Sequence, residues 1–103
     1  MGQRLQDRNA IVTGGARGMG FAIARALYQE GARIAVLDID GHGAVAAAKQ
    51  LDERQDRAIG RKIDVTKGSE VHFFVQEMKK LWGSIDILVN NAGIARPQKI
   101  SDI

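Results

Sequence analysis

Between Thr13 and Gly20 the chain reads Thr-Gly-Gly-Ala-Arg-Gly-Met-Gly, with an apolar β-branched run before it and a helical pattern after it. Glycines at such a strand-to-helix junction are suited to holding a phosphate. Gly14 lets the chain leave the strand in a tight turn, where a Cβ would clash. Gly18 lets the backbone approach a pyrophosphate, and Gly20 lets the new helix pack closely on the first strand. Met19 lies between those last two glycines and joins the candidate contact set. The helix N-terminus adds unpaired N–H groups and the positive end of its dipole. From Gly14 the spacing is G-x-x-x-G-x-G rather than the commoner G-x-G-x-x-G. Phe21-Ala22 stands where a P-loop would have its Lys-Ser or Lys-Thr. The bland alternative is a glycine-rich turn with no ligand, and an acidic residue downstream weighs against it.

That residue is Asp38, at the end of the next apolar run and twenty positions after Gly18. A carboxylate there accepts hydrogen bonds from the ribose 2′-hydroxyl of NAD and repels the 2′-phosphate of NADP. Ile39 follows it as a further candidate contact, while Asp40 reads as a solvated turn residue. Arg17 pulls the other way, because a guanidinium near the adenosine ribose can pair with a 2′-phosphate. A carboxylate close to a dianion outweighs a flexible, solvated arginine, so NAD is expected over NADP.

These residues need a scaffold, and the periodicity supplies one. Short aliphatic runs at Ala10–Thr13, Ile34–Leu37, Ala58–Ile63 and Ile85–Val89 read as strands. Between them lie three helical patterns. The first places Ala22, Ile23, Ala26 and Leu27 on its apolar face, leaves Arg25 and Gln29 to solvent, and stops at Gly31. The second uses Ala44, Ala47, Ala48 and Leu51, whose small side chains suit close packing. The third carries Val71, Phe74, Val75, Met78, Leu81 and Trp82, with Ser69 or Thr66 as its cap and Gly83 as its stop. The order β-α-β-α-β-α-β predicts an α/β fold, a Rossmann-type doubly wound parallel sheet of strand order 3-2-1-4. Further strands are expected after the fourth, which otherwise leaves an apolar edge, so the chain reads as a truncated, N-terminal part of one domain.

Composition narrows the classes. The chain has 103 residues, no cysteine, a net charge of +3 and 5% aromatic residues. Thiolate metal sites and disulfides are excluded, and the missing cysteines suit a cytoplasmic setting. No apolar run approaches a membrane span, and interspersed charge with few aromatics argues against nucleic-acid binding. His42, between two glycines, and His72, on the third helical pattern, have no partner spacing for a metal and read as surface residues.

The Thr13–Gly20 loop, Asp64-Val65 after the third strand and Asn90-Asn91-Ala92-Gly93 after the fourth together resemble the short-chain dehydrogenase/reductase family. The nearest flavour is the group holding 3-oxoacyl-carrier-protein reductases and small sugar or polyol dehydrogenases. The resemblance covers essentially the whole chain, and its ordered set of motifs is far more specific than any one of them. It implies that Asp64 hydrogen-bonds the adenine amino group, with the Val65 backbone beside it. It implies that Asn90 and Asn91 brace the sheet and approach the cofactor ribose, while Ala92 and Gly93 let the cofactor lie close. Read without it, the asparagines are turn formers at a strand end.

The same resemblance implies hydride transfer between NAD and an alcohol or ketone substrate, and a homo-oligomer built through later helices. The family's acid–base pair, Tyr-x-x-x-Lys, has no counterpart here. Tyr28 is followed four positions later by Ala32 and reads as a packing residue, and Ser69, Ser84 and Ser101 have no obvious base. No catalytic residue carries over, so the chain alone is expected to bind cofactor weakly without turning substrate over. Two other readings stay open: a non-catalytic dinucleotide module or redox sensor, and a flavodoxin-like domain whose loop holds another phosphate.

Overall fold

The structure, a computed structural model, describes residues 4–54 and 56–91. Its strands are β1 (Asn9–Thr13), β2 (Arg33–Asp38), β3 (Ala58–Lys62) and β4 (Ile87–Asn90). They are joined by α1 (Gly18–Gln29), α2 (Gly41–Leu51) and α3 (Gly68–Trp82). The sheet runs β3-β2-β1-β4 with every pairing parallel, as the sequence predicts.

Strand alternation divides the core into two layers. Ala10, Val12, Ile34 and Val36 point to one face and pack with Ala24, Ala44 and Ala47 of α1 and α2. Ile11, Ala35 and Leu37 point to the other and pack with Phe74 and Met78 of α3. β1 and the middle of β2 are buried on both faces, which is why they read as unbroken apolar runs.

α2 lies against β3 because both elements are thin where they meet. A Cβ at Gly60 would fall on the backbone of Ala44, so glycine there admits the helix. Ala44, Ala47 and Ala48 are buried on that seam, as their spacing predicts. The end of α1 also follows the sequence. Gly31 adopts φ 101°, its N–H reaches the Tyr28 carbonyl, and the Ala32 N–H reaches that of Leu27.

Two helix faces differ from expectation. On α1 the buried positions are Gly20 and Ala24, with Phe21, Leu27 and Tyr28 packed beside them, while Ala22 and Ala26 face solvent. The α3 stripe holds at Phe74, Val75, Met78 and Trp82, but Leu81 is exposed. Neither expected cap of α3 is used. Lys67 occupies the N-cap without a side-chain bond, and the Thr66 hydroxyl goes to Asp64 instead. β4 pairs with β1, and its Leu88, on the α3 side, is exposed. No helix among the described residues is long and apolar enough to cross a membrane.

Beneath the sheet, Asn9 ties β1 to the segment entering β4. Its N–H donates to Asp86 Oδ2 at 2.9 Å, and its Nδ2 donates to the Ser84 carbonyl at 3.0 Å. No sequence pattern marked this pair. It sits at the end of the sheet away from the glycine loop.

Candidate functional site

The C-terminal ends of the strands converge on the loop between β1 and α1. Strand order reverses between β1 and β4, where an open α/β sheet forms its ligand crevice. Gly14 and Gly18 each adopt φ 62°, in the left-handed region that favours glycine. A Cβ at Gly18 would meet nothing within 4 Å, so the loop is open on that side. Gly20 is the opposite case. A Cβ there would fall on the Gly14 carbonyl and come within 2.7 Å of Asn91 Nδ2. Gly15, which the sequence did not single out, is buried, and a Cβ on it would come within 2.9 Å of Val36.

The N-terminus of α1 begins at Arg17 without a side-chain cap and has no acidic residue in its first turn. α2 contrasts with it, because the Asp40 carboxylate accepts from the Gly43 N–H at 3.0 Å. This corrects the reading of Asp40 as a solvated turn residue. Its other oxygen also pairs with Arg17 Nη2 at 2.6 Å. Asp-x-Asp after a strand, just before a helical pattern, is an N-cap signature that could have revealed the first role.

Asp38 is half-buried at the tip of β2. Its Oδ2 accepts from the Ala16 N–H at 3.2 Å and its Oδ1 from the Asp40 N–H at 3.0 Å. The carboxylate therefore joins the glycine loop to the strand end. Each oxygen keeps a second acceptor site.

A pocket of about 210 Å³ lies beside it, lined by Gly14, Asp38, Ile39, Asp64, Val65 and Thr66 among others. Residues singled out from three separate stretches of sequence thus share one cavity. Asp64 Oδ1 accepts from the Thr66 hydroxyl at 2.6 Å and from its N–H at 3.0 Å. The hydroxyl bond first, and the N–H bond after it, hold the Asp64 carboxyl below the usual carboxylate range.

A carboxyl whose folded value is lowered stabilises the fold above its unfolded value, near pH 4, and that contribution fades as pH falls through the folded value. Asp64→Asn is therefore expected to lower the urea midpoint at pH 7, with a gap from the unsubstituted protein that narrows below pH 4. A gap unchanged down to pH 2.5 would show that the carboxylate charge plays no part.

The remaining candidates sit around this pocket. Arg17 and Met19 are exposed, Met19 at 67%, and Ile39, which lines the pocket, is 61% exposed. Asn91 Nδ2 donates to the Gly14 carbonyl at 3.1 Å, which fixes the loop against the end of β4. Thr13 Oγ1 lies 3.2 Å from both the Val89 carbonyl and Asn90 Oδ1, bracing β1 to β4. Ala92 and Gly93 lie outside the described residues. His42 and His72 are both exposed. Tyr28 is on the last turns of α1, at the far end of that helix from the glycine loop, with the Arg57 guanidinium 4.0 Å above its ring. It packs against the core layer of β1 and β2.

Comparison with known proteins agrees with this geometry. The family model described as short chain dehydrogenase matches residues 8–103. A 3-oxoacyl-acyl-carrier-protein reductase of Chlamydia trachomatis is 41% identical over 93 residues, which cover 89% of this chain and 38% of that protein. A sorbitol dehydrogenase of Cereibacter sphaeroides is 43% identical over 91 residues, covering 88% of this chain and 34% of the relative. A D-threitol dehydrogenase of Mycolicibacterium smegmatis is 43% identical over 93 residues, covering 90% and 36%. The chain thus spans little more than a third of the length of these relatives.

Proposed function

The chain belongs to the short-chain dehydrogenase family, and from that premise we propose that it is the NAD-binding portion of an oxidoreductase acting on an alcohol or ketone. The observation that carries the reading is the single pocket lined by Gly14, Asp38, Ile39, Asp64 and Val65. Through Gly14 it adjoins the loop that leads into α1, whose N-terminus has neither a side-chain cap nor an acidic first turn. A dinucleotide needs both features: donors for its pyrophosphate and an acidic, partly enclosed place for its adenosine.

The residues present fit that group. The α1 N–H groups and the open face of Gly18 would hold the pyrophosphate, and Asp38 would take the adenosine ribose. Asp64 and Val65 would take the adenine edge, with Asn91 keeping the loop in place. Bound NAD supplies a hydride acceptor at its nicotinamide ring. NAD is favoured over NADP because the Asp38 carboxylate is anchored by two backbone N–H groups and cannot turn away from a 2′-phosphate. The chain's own part is binding. Its one tyrosine, Tyr28, is engaged by Arg57 rather than placed for proton transfer. The names of the relatives support an alcohol of the sorbitol or D-threitol kind, or a 3-oxoacyl-acyl-carrier-protein, as the substrate class of the whole protein.

Thermal melting of the 103-residue chain with NAD, NADP or FMN tests the proposal. A ligand at ten times its Kd adds about 1.4 kcal/mol, on the order of 5–10 °C for a domain of this size. NAD is expected to give a shift of that order and NADP a smaller one at equal concentration. Stabilisation by FMN alone would sink the reading, and a larger shift with NADP would reverse the cofactor assignment.

A further inference from the structure

Asp38 alone does not settle how a dinucleotide-binding loop with an arginine in it treats a 2′-phosphate. Arg17 follows the tight turn directly, is exposed, and carries a planar fork of donors matched to phosphate oxygens. Left free, it is the group best suited to draw the phosphorylated ribose. In the structure it is not free. Its Nη2 lies 2.6 Å from Asp40 Oδ2, on the far side of Asp38 in sequence.

Asp40 is a fixed anchor. Its Oδ1 accepts the Gly43 N–H at 3.0 Å as the cap of α2. Its own N–H donates to Asp38 Oδ1 at 3.0 Å. A Cβ at Gly43 would collide with the same carboxylate, so glycine there lets the carboxylate sit tightly on the helix end. A carboxylate held in this way does not follow the arginine; the arginine comes to it. The two acidic residues therefore grip successive positions of the loop, Asp38 through the Ala16 N–H and Asp40 through the Arg17 side chain.

We infer that Asp40 is a specificity-determining residue of the adenosine site, which withholds the Arg17 guanidinium from a 2′-phosphate by pairing with it at the N-terminus of α2. The inference rests on the proposal that the pocket takes an adenosine dinucleotide. It adds a second layer to the discrimination. Asp38 repels the phosphate, and Asp40 occupies the cation that would otherwise attract it. Asp40 acts through Arg17 and is a positioning residue. The pair is exposed on the Arg17 side, so its effect is modest, like that of other solvated ion pairs.

The probes are adenosine 5′-monophosphate and adenosine 2′,5′-bisphosphate, which differ by the phosphate in question and need no nicotinamide site. Calorimetric titration at 0.15 M salt compares the 103-residue chain with Asp40→Asn, Arg17→Gln and the double variant. Asn keeps an oxygen to cap Gly43, and far-UV circular dichroism checks that α2 persists. In Asp40→Asn the preference for the bisphosphate over the monophosphate is expected to rise roughly twofold to fivefold. The same exchange in the Arg17→Gln background is expected to change it little. No rise in Asp40→Asn overturns the inference while leaving the dinucleotide reading intact. An equal rise in the Arg17→Gln background also overturns it, because loss of negative charge alone would then explain the effect. If neither nucleotide binds any of the four proteins, the dinucleotide reading fails and this inference falls with it.

Discussion

Replacing Gly20 by alanine is expected to lower the stability of the chain by about 3 kcal/mol, the upper end of the usual cost of overpacking. The added methyl would fall on the Gly14 carbonyl oxygen and within 2.7 Å of Asn91 Nδ2. Those two groups are hydrogen-bonded to each other, so neither can yield without breaking the bond that fixes the loop to β4. With total stability of roughly 5–15 kcal/mol for a small domain, the loss is large. For a urea slope of about 2 kcal/mol per molar, the midpoint drops by about 1.5 M. Nucleotide affinity should fall with it, because the α1 N-terminus moves away from the strand end. Gly18→Ala makes the contrasting control. Its Cβ meets nothing, so the expected cost is only the roughly 1–2 kcal/mol of holding alanine in the left-handed region. Equal midpoints for the two variants would show that the Gly14–Gly20 contact carries no special weight.

Gly60→Ala is expected to be comparably severe, by about 3 kcal/mol, at a different seam of the fold. The obstruction is backbone: the Ala44 carbonyl group, then the Val45 nitrogen at 2.6 Å. A helix cannot rotate a carbonyl away as a side chain rotates a methyl. α2 must lift from β3, exposing Ala44, Ala47 and Ala48, which are 0%, 3% and 0% accessible in the native fold. Hydrogen exchange distinguishes the two variants. Protection is expected to be lost first in α2 and β3 for Gly60→Ala, and around the β1–α1 loop for Gly20→Ala. Uniform loss across the sheet in both would contradict this account.

The sheet was legible because its strands announce themselves twice. Ile34-Ala35-Val36-Leu37 is apolar at every position, and only a strand covered on both faces needs that. Alternation with long helical patterns then leaves few orders besides 3-2-1-4. The face of α1 was harder to read, since two of its four expected positions, Ala22 and Ala26, are alanine. Alanine gains little by burial and little by exposure, so Ala24 and Ala26 carry almost no directional signal. The constraint that decided the matter was Gly20, which turns its bare face to the Gly14 carbonyl and sets the rotation of the helix.

Caps were misread for a related reason. Ser, Thr and Asp form several competing local bonds, and the nearest acceptor wins. Thr66 found Asp64, two residues back, before it could serve α3. Asp40 found both Gly43 and Arg17, and the second partner lies 23 residues away, beyond the reach of any local pattern. The Asn9–Asp86 bond is still more remote in sequence, at 77 residues, and has no motif at all.

The order of the strands also bears on the time course of assembly. Parallel neighbours cannot form a hairpin, and each pairing waits for an intervening helix to close a long loop. β1 and β2 are joined across α1 alone, whereas β4 pairs with β1 across every other element of the sheet. The Asn91 bond to Gly14 spans 77 residues and belongs to that longest closure. The crevice contacts carry the largest loop-closure cost and are expected to form late, so Asn91→Ala should speed unfolding more than it slows folding. A ligand that requires the finished crevice acts as a brake on unfolding rather than as a guide to folding.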